Sequence, residues 1–139
     1  MFSGTTNHSI DTKGRIILPQ KFRDELGEEF YITSGFADNI QIMSVDEFNH
    51  LRAQIKELPA DKALALQYLL LSAATLVSPN AQGRVQIPQK LREDSGIEGT
   101  AVVVGMDTRI EVWNKDKFEE FMALQKQKFI GDALELLRF

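Results

Sequence analysis

Arg15 and Arg84 occupy matching places in two similar stretches, "DTKGRIILPQKFR" at residues 11–23 and "NAQGRVQIPQKLR" at residues 80–92. A guanidinium can fork onto two phosphate oxygens or onto the O6/N7 edge of guanine, whereas an ammonium acts as a point charge. Lys13 stands beside the first arginine, and Lys21, Arg23, Lys90 and Arg92 follow on. Residues 11–23 carry four cations against one acid and residues 80–92 three cations and no acid, net +3 each. The total is −4, so the remainder holds −10. An acidic body with two basic segments is the charge pattern of a protein that presents a local anion-binding strip.

Blander readings stand beside that one. Asp11 and Gly14 read first as turn chemistry: an Asp side chain accepts nearby backbone N–H groups, and Gly supplies positive φ. Asn80 can form the same turn while losing the charge. Gly14 would also let the loop backbone approach another surface closely. Arg15 and Arg84 could equally pair with acids of their own body. Lys21, Arg23, Lys90 and Arg92 fall on short helices, where charges usually face solvent. Their repetition weighs against that, because internal copies of solvated residues have no packing reason to agree.

Other chemistry finds little support. His8 and His50 are the only histidines, and neither has a metal-ligand spacing. Asp24/Glu25 and Glu28/Glu29 are sequence neighbours, which point to different faces of a helix. Phosphate-loop, dinucleotide-loop and G-x-S-x-G patterns are missing, and the chain has no cysteine. No residue is assigned as catalytic, and no cofactor or metal is expected. Pure apolar runs do not exceed four residues, as in "YLLL", and the first residues do not read as a secretory signal. A cytoplasmic protein is expected.

The elements that would carry the basic segments come from a repeat. At a shift of 69, Gly14-Arg15 falls on Gly83-Arg84, Pro19-Gln20-Lys21 on Pro88-Gln89-Lys90, Arg23 on Arg92 and Gly27 on Gly96. After one inserted residue, Gly35, Ile40, Asp46 and Phe48 fall on Gly105, Ile110, Asp116 and Phe118. Two copies of roughly 45 residues are too few for a solenoid, so two halves completing one core is the natural reading.

Within a copy, "TNHSI" and "RIIL" flank the turn and read as a hairpin. Pro19 opens a short helix at its first position and Gly27 closes it; Pro88 and Gly96 do the same in the second copy. "FYIT" and "IQIM", then "AVVV" and "IEVW", are rich in β-branched and aromatic residues and read as strands. Ser44 with Glu47 forms a capping box opening a helix to about Leu58, with Phe48, Leu51 and Ile55 on one face. Asn114 caps its counterpart, whose stripe is Phe118, Phe121 and Met122. Outside the repeat, residues 60–74 predict a helix apolar nearly all round, buried between the halves or against another subunit. The tail carries Phe129, Ile130, Leu134, Leu136, Leu137 and Phe139, and is expected to pack on its own core or on a neighbouring subunit.

Taken together, "MFSGTTNHSIDTKGRIILPQKFRDEL", "QGRVQIPQKLRE" and "IEVWNKDKFEEF" resemble the MraZ family over essentially the whole chain. That resemblance implies an α+β fold of the AbrB-like swapped-hairpin group, two halves forming one pseudo-symmetric small β-barrel with flanking helices. The corresponding division is a first repeat with its helix at 1–58, a connecting helix at 59–73, a second repeat at 74–128 and a helical tail at 129–139. It also implies a transcriptional regulator that binds short G-rich direct repeats in double-stranded DNA, in the promoter of its own division and cell-wall operon. Ring-like homo-oligomers, no membrane partner and a nucleoid-associated location go with it. The family's D-x-x-G-R residues map onto Asp11, Gly14 and Arg15 and onto Gly83 and Arg84, the second copy departing at Asn80. On this reading Arg15 and Arg84 lead the DNA contact and Lys13 supports them. Lys21, Arg23, Lys90 and Arg92 add phosphate contacts. The reading from another class is an antitoxin-like interaction module of the same fold group, whose tail would be long and disordered. An enzyme on a related small barrel is disfavoured by the missing catalytic groups.

Overall fold

In the computed structural model, which describes residues 1–138, the first copy supplies β1 (Thr5–Ser9), β2 (Arg15–Ile17), α1 (Gln20–Leu26), β3 (Phe30–Ser34), β4 (Ile40–Ser44) and α2 (Val45–Lys56). A connector, α3 (Ala60–Leu66), runs on into a π-helical turn at Gln67–Leu71. The second copy repeats the order with β5 (Thr75–Val77), β6 (Arg84–Gln86), α4 (Gln89–Ser95), β7 (Thr100–Met106), β8 (Arg109–Trp113) and α5 (Lys115–Gln125). A second π-helical turn, Lys126–Ile130, leads to α6 (Gly131–Leu134). Phe139 lies outside the described residues.

The fold is α+β, and the copies build it by exchanging strands. A six-stranded antiparallel sheet runs β1-β7-β8-β4-β3-β5, and a two-stranded ribbon joins β2 to β6. First-copy β1 therefore pairs with second-copy β7, and second-copy β5 with first-copy β3. The expected local hairpin does not form: the turn is present, but its two arms leave it for different sheets. Each arm finds its hydrogen bonds on the other copy, so neither copy has a complete sheet alone. Nor does the sheet close into a barrel, because β1 and β5 remain its two edges and the three-residue strands of the ribbon pair only with each other.

Alternation along the strands explains why the sheet is covered twice. Ala101 and Val103 of β7 belong to the main core, whereas Val102 and Val104 face a smaller cluster. The main core draws on both copies: Ile16, Leu18, Phe22, Phe30, Ile32 and Ile42 meet Val85, Ile87, Leu91, Val103, Ile110 and Val112. Burying each such side chain stabilises the fold by about 1.5–3 kcal/mol. Ile16 and Val85 come from the ribbon, which places it over the main core. On the opposite face, Trp113 packs on Phe118 and Phe121 of α5, and Tyr31 stacks on Phe48 of α2 at 4.0 Å.

Local caps follow the sequence closely. Ser44 Oγ accepts from Glu47 N at 3.1 Å and Asn114 Oδ1 from Lys117 N at 3.0 Å. Pro19 and Pro88 sit one place earlier than expected, as caps with extended ψ rather than as first helical residues. The connector differs more. Only Leu70 is buried, with Leu70 O accepting from Thr33 Oγ1 at 2.5 Å, while Leu64 and Tyr68 are 53% and 70% exposed. The halves share one core directly, and the connector adds only Leu70 to the buried residues. The tail likewise does not pack on its own core: Phe129, Leu134, Leu136 and Leu137 are all exposed. Met122 also leaves the expected stripe, being 39% exposed.

Candidate nucleic-acid interface

The ribbon decides where the two arginines go. Arg15 lies opposite Gln86, and Ile17 opposite Arg84. Ile16 and Val85 point into the core, so period-two alternation turns Arg15, Ile17, Arg84 and Gln86 to the outer face. The two arginines are thus diagonal neighbours, which in an antiparallel pair stand about 7–8 Å apart. Two residues 69 positions apart in the chain share one small exposed patch.

The turns that feed this patch have nearly the same geometry. Asp11 Oδ1 accepts from Lys13 N at 3.0 Å and Arg15 N at 2.8 Å; Asn80 Oδ1 accepts from Gln82 N at 3.0 Å and Arg84 N at 2.9 Å. Gly14 N and Gly83 N donate to the carbonyls of Asp11 and Asn80 at 3.0 and 2.9 Å, and φ is +79° and +78° at the two glycines. Asp11 with Gly14, and Asn80 with Gly83, thus form two turns of one geometry.

What differs is the remaining side-chain atom. Asp11 Oδ2 accepts from Arg15 Nε at 2.8 Å, closing an ion pair. Arg84 makes no ion pair among the described residues. The backbone N–H of Arg15, its guanidinium and the N–H of Lys13 together hold the Asp11 carboxyl below the usual carboxylate range, against a smaller opposing effect of burial. The carboxylate is ionised at neutral pH.

Arg23 and Arg92 take a place that the sequence did not suggest. Arg92 lies against Gly14, where an added Cβ would collide with its guanidinium, and Arg23 lies against Gly83, where a Cβ would come within 2.6 Å of its guanidinium. Each helix arginine thus braces the loop of the other copy. Its Nε is anchored at home, Arg23 to Leu18 O and Arg92 to Ile87 O, both at 3.0 Å. The surface that the glycines approach closely is therefore a guanidinium of this chain. Ion pairs would not have revealed this, because the packing partner is a bare glycine.

The lysines separate. Lys13 is exposed at the first tip, and its carbonyl accepts from Gln86 Nε2 at 3.1 Å. Lys21 is exposed on α1. Lys90 bonds Asp94 at 3.1 Å on α4 and lines a groove with Tyr68 and Leu69 of the connector, away from the tips. Ile17 and Gln86 complete the outer face and were not singled out beforehand; the polar-apolar-polar order of "RVQ" is the signal that finds Gln86, whereas an apolar Ile17 in "RII" gives none. Counting each end of the ribbon with its bracing arginine, the first has Lys13, Arg15 and Arg92 against Asp11, and the second has Arg84 and Arg23 with no acid. Both ends are net +2.

Among the described residues no three His, Cys, Asp or Glu side chains stand together as metal ligands, and no helix is long and apolar enough to cross a membrane.

Comparison with known proteins bears on the repeat directly. The profile of a family described as "MraZ protein, putative antitoxin-like" matches twice in succession, at residues 1–68 and 70–138. Curated relatives named transcriptional regulator MraZ include those of Acetivibrio thermocellus, 42% identical over 87% of this chain and 86% of the relative, and of Caldanaerobacter subterraneus subsp. tengcongensis, 40% identical over the same shares. That of Lachnoclostridium phytofermentans is 42% identical over 86% of this chain and 85% of its own length. On both counts, the chain belongs to the MraZ family.

Proposed function

We propose that the chain is a DNA-binding transcriptional regulator, not an enzyme, and that the outer face of the β2–β6 ribbon is its DNA surface. The observation that carries this is the pairing of Arg15 and Arg84 on one exposed face of an otherwise acidic protein. Relatives named as transcriptional regulators support it. Two cations on the outer face of a two-stranded ribbon suit a groove that admits such a ribbon. Lys13 extends the patch, and Arg23 and Arg92 support it from behind while offering charge at its ends. Lys21 and Lys90 contribute at most outer phosphate contacts.

On the same reading the strand exchange is the AbrB-like swapped-hairpin arrangement within one chain, residues 1–58 and 74–128 being its halves. The target is short G-rich direct repeats in the promoter of the chain's own division and cell-wall operon, and the protein works in the cytoplasm at the nucleoid. The exposed apolar faces of the connector and tail become contacts in a ring-like homo-oligomer. One rim would then carry many ribbons, so individually weak contacts would sum over adjacent DNA repeats. The antitoxin-like alternative asks for a long disordered tail, whereas this tail is helical through Leu134.

Footprinting of the full-length protein on the DNA upstream of its own gene tests this. Protection of regularly spaced short repeats, weakening steeply with salt as counterions are released, is the expected result. A uniform or absent footprint contradicts it.

A further inference from the structure

We propose that the two ribbon ends divide the work of DNA recognition: Arg15, held by Asp11, reads a base edge, and Arg84, whose side chain has no hydrogen-bond or ion-pair partner among the described residues, grips phosphate. This rests on the DNA-binding reading above and adds to it a positioning role for Asp11.

Reading a base edge needs the guanidinium fork fixed in one plane and direction. Arg15 has that support. Its Nε is taken by Asp11 Oδ2 at 2.8 Å, and Asp11 is itself fastened through Oδ1 to two backbone N–H groups. A tethered line thus runs from backbone to carboxylate to guanidinium, and neither Nη group makes a hydrogen bond among the described residues, in a side chain 31% exposed. Fixing the side chain before binding lowers the ordering cost of the complex.

The second end lacks this support for a chemical reason. Asn80 Oδ1 must face the N–H groups of Gln82 and Arg84, since both are donors. Its other atom is then an NH2, which also donates and cannot hold a guanidinium. Arg84 lacks that tether, and an untethered cation suits a phosphate contact whose position tolerates variation. Electrostatics favours the same division. The Asp11 carboxylate repels phosphate beside Arg15, and Asn80 brings no such charge to Arg84.

The test uses the full-length protein and two duplexes, its own upstream DNA and a scrambled duplex of equal composition, titrated at several salt concentrations. Arg15→Ala and Asp11→Asn each lower the preference for the upstream duplex roughly ten-fold or more, as expected for a lost base contact. Arg84→Ala weakens binding to both duplexes alike and reduces the salt slope by about one. The turn survives Asp11→Asn, since Asn80 already makes it, so unfolding does not confound that variant. Full preference retained in Asp11→Asn overturns the division of labour while leaving the DNA reading intact. The division is overturned equally if Arg84→Ala abolishes the preference and Arg15→Ala does not. Wild-type protein that binds neither duplex overturns the DNA reading and this inference with it.

Discussion

Asp11 and Asn80 hold their turns through one oxygen each, at distances that agree within 0.1 Å, and part company only at the second terminal atom. The first loop adds an acid and a lysine where the second has an amide and Gln82, so the two ribbon ends keep equal charge. The backbone shape and the net field of the module are thus the same in both copies, while the fixation of the arginine is not. A duplicated element can specialise through a single atom when the shape is carried by its neighbour.

That comparison can be broken or sharpened by mutation. The largest effects belong to the shared core, where Leu18 and Ile87 are equivalent and both fully buried. Leu18→Ala and Ile87→Ala should each cost about 2–5 kcal/mol and leave one unfolding transition in urea. Two separated transitions would mean that the copies fold independently. Gly14→Ala and Gly83→Ala should come next, at about 1–2 kcal/mol for the left-handed backbone, with a further cost from the bracing guanidinium. Adding Arg92→Ala to Gly14→Ala should recover only that further part; full recovery would show that backbone strain is negligible. Asn80→Ala should cost about 1 kcal/mol through the two N–H groups left without their acceptor. Circular dichroism melts that do not move would remove the side chain from the turn.

The smallest effect lies in β1. His8 titrates below its ordinary value of 6.5 because it is partly buried, an effect larger than the opposing hydrogen bond with the Ile17 backbone. The folded chain therefore resists charging it, and the unfolded chain takes up the proton first. Stability should fall as the pH drops below about 6.5 and stop falling once the folded His8 has itself charged. The second copy has Val77 at this place. His8→Val should flatten the slope, and an unchanged slope between pH 7 and 5 would assign it to other groups.

The sequence disclosed those features whose causes are local. Ser44 and Asn114 cap helices as their neighbours predict, and "DTKG" and "NAQG" make their turns. Strand partners were not legible, because "TNHSI" and "RIIL" are consistent with a hairpin and only the presence of the other copy draws them into different sheets. The brace of Arg92 on Gly14 was hidden for a similar reason: a charged helix residue gives no sign that it packs on a glycine 78 positions earlier. The connector misled by composition, since "LALQYLLL" is apolar on every side while the core accepts Leu70 alone from it.

Arginine-selective chemical modification, read by mass spectrometry with and without the upstream duplex, tests the ribbon as the DNA surface most directly. Arg15 and Arg84 should lose reactivity on binding, while Arg52, exposed on α2, keeps its own. Unchanged modification of Arg15 and Arg84 in the complex, with protection at Arg52 instead, would place the DNA elsewhere on the protein.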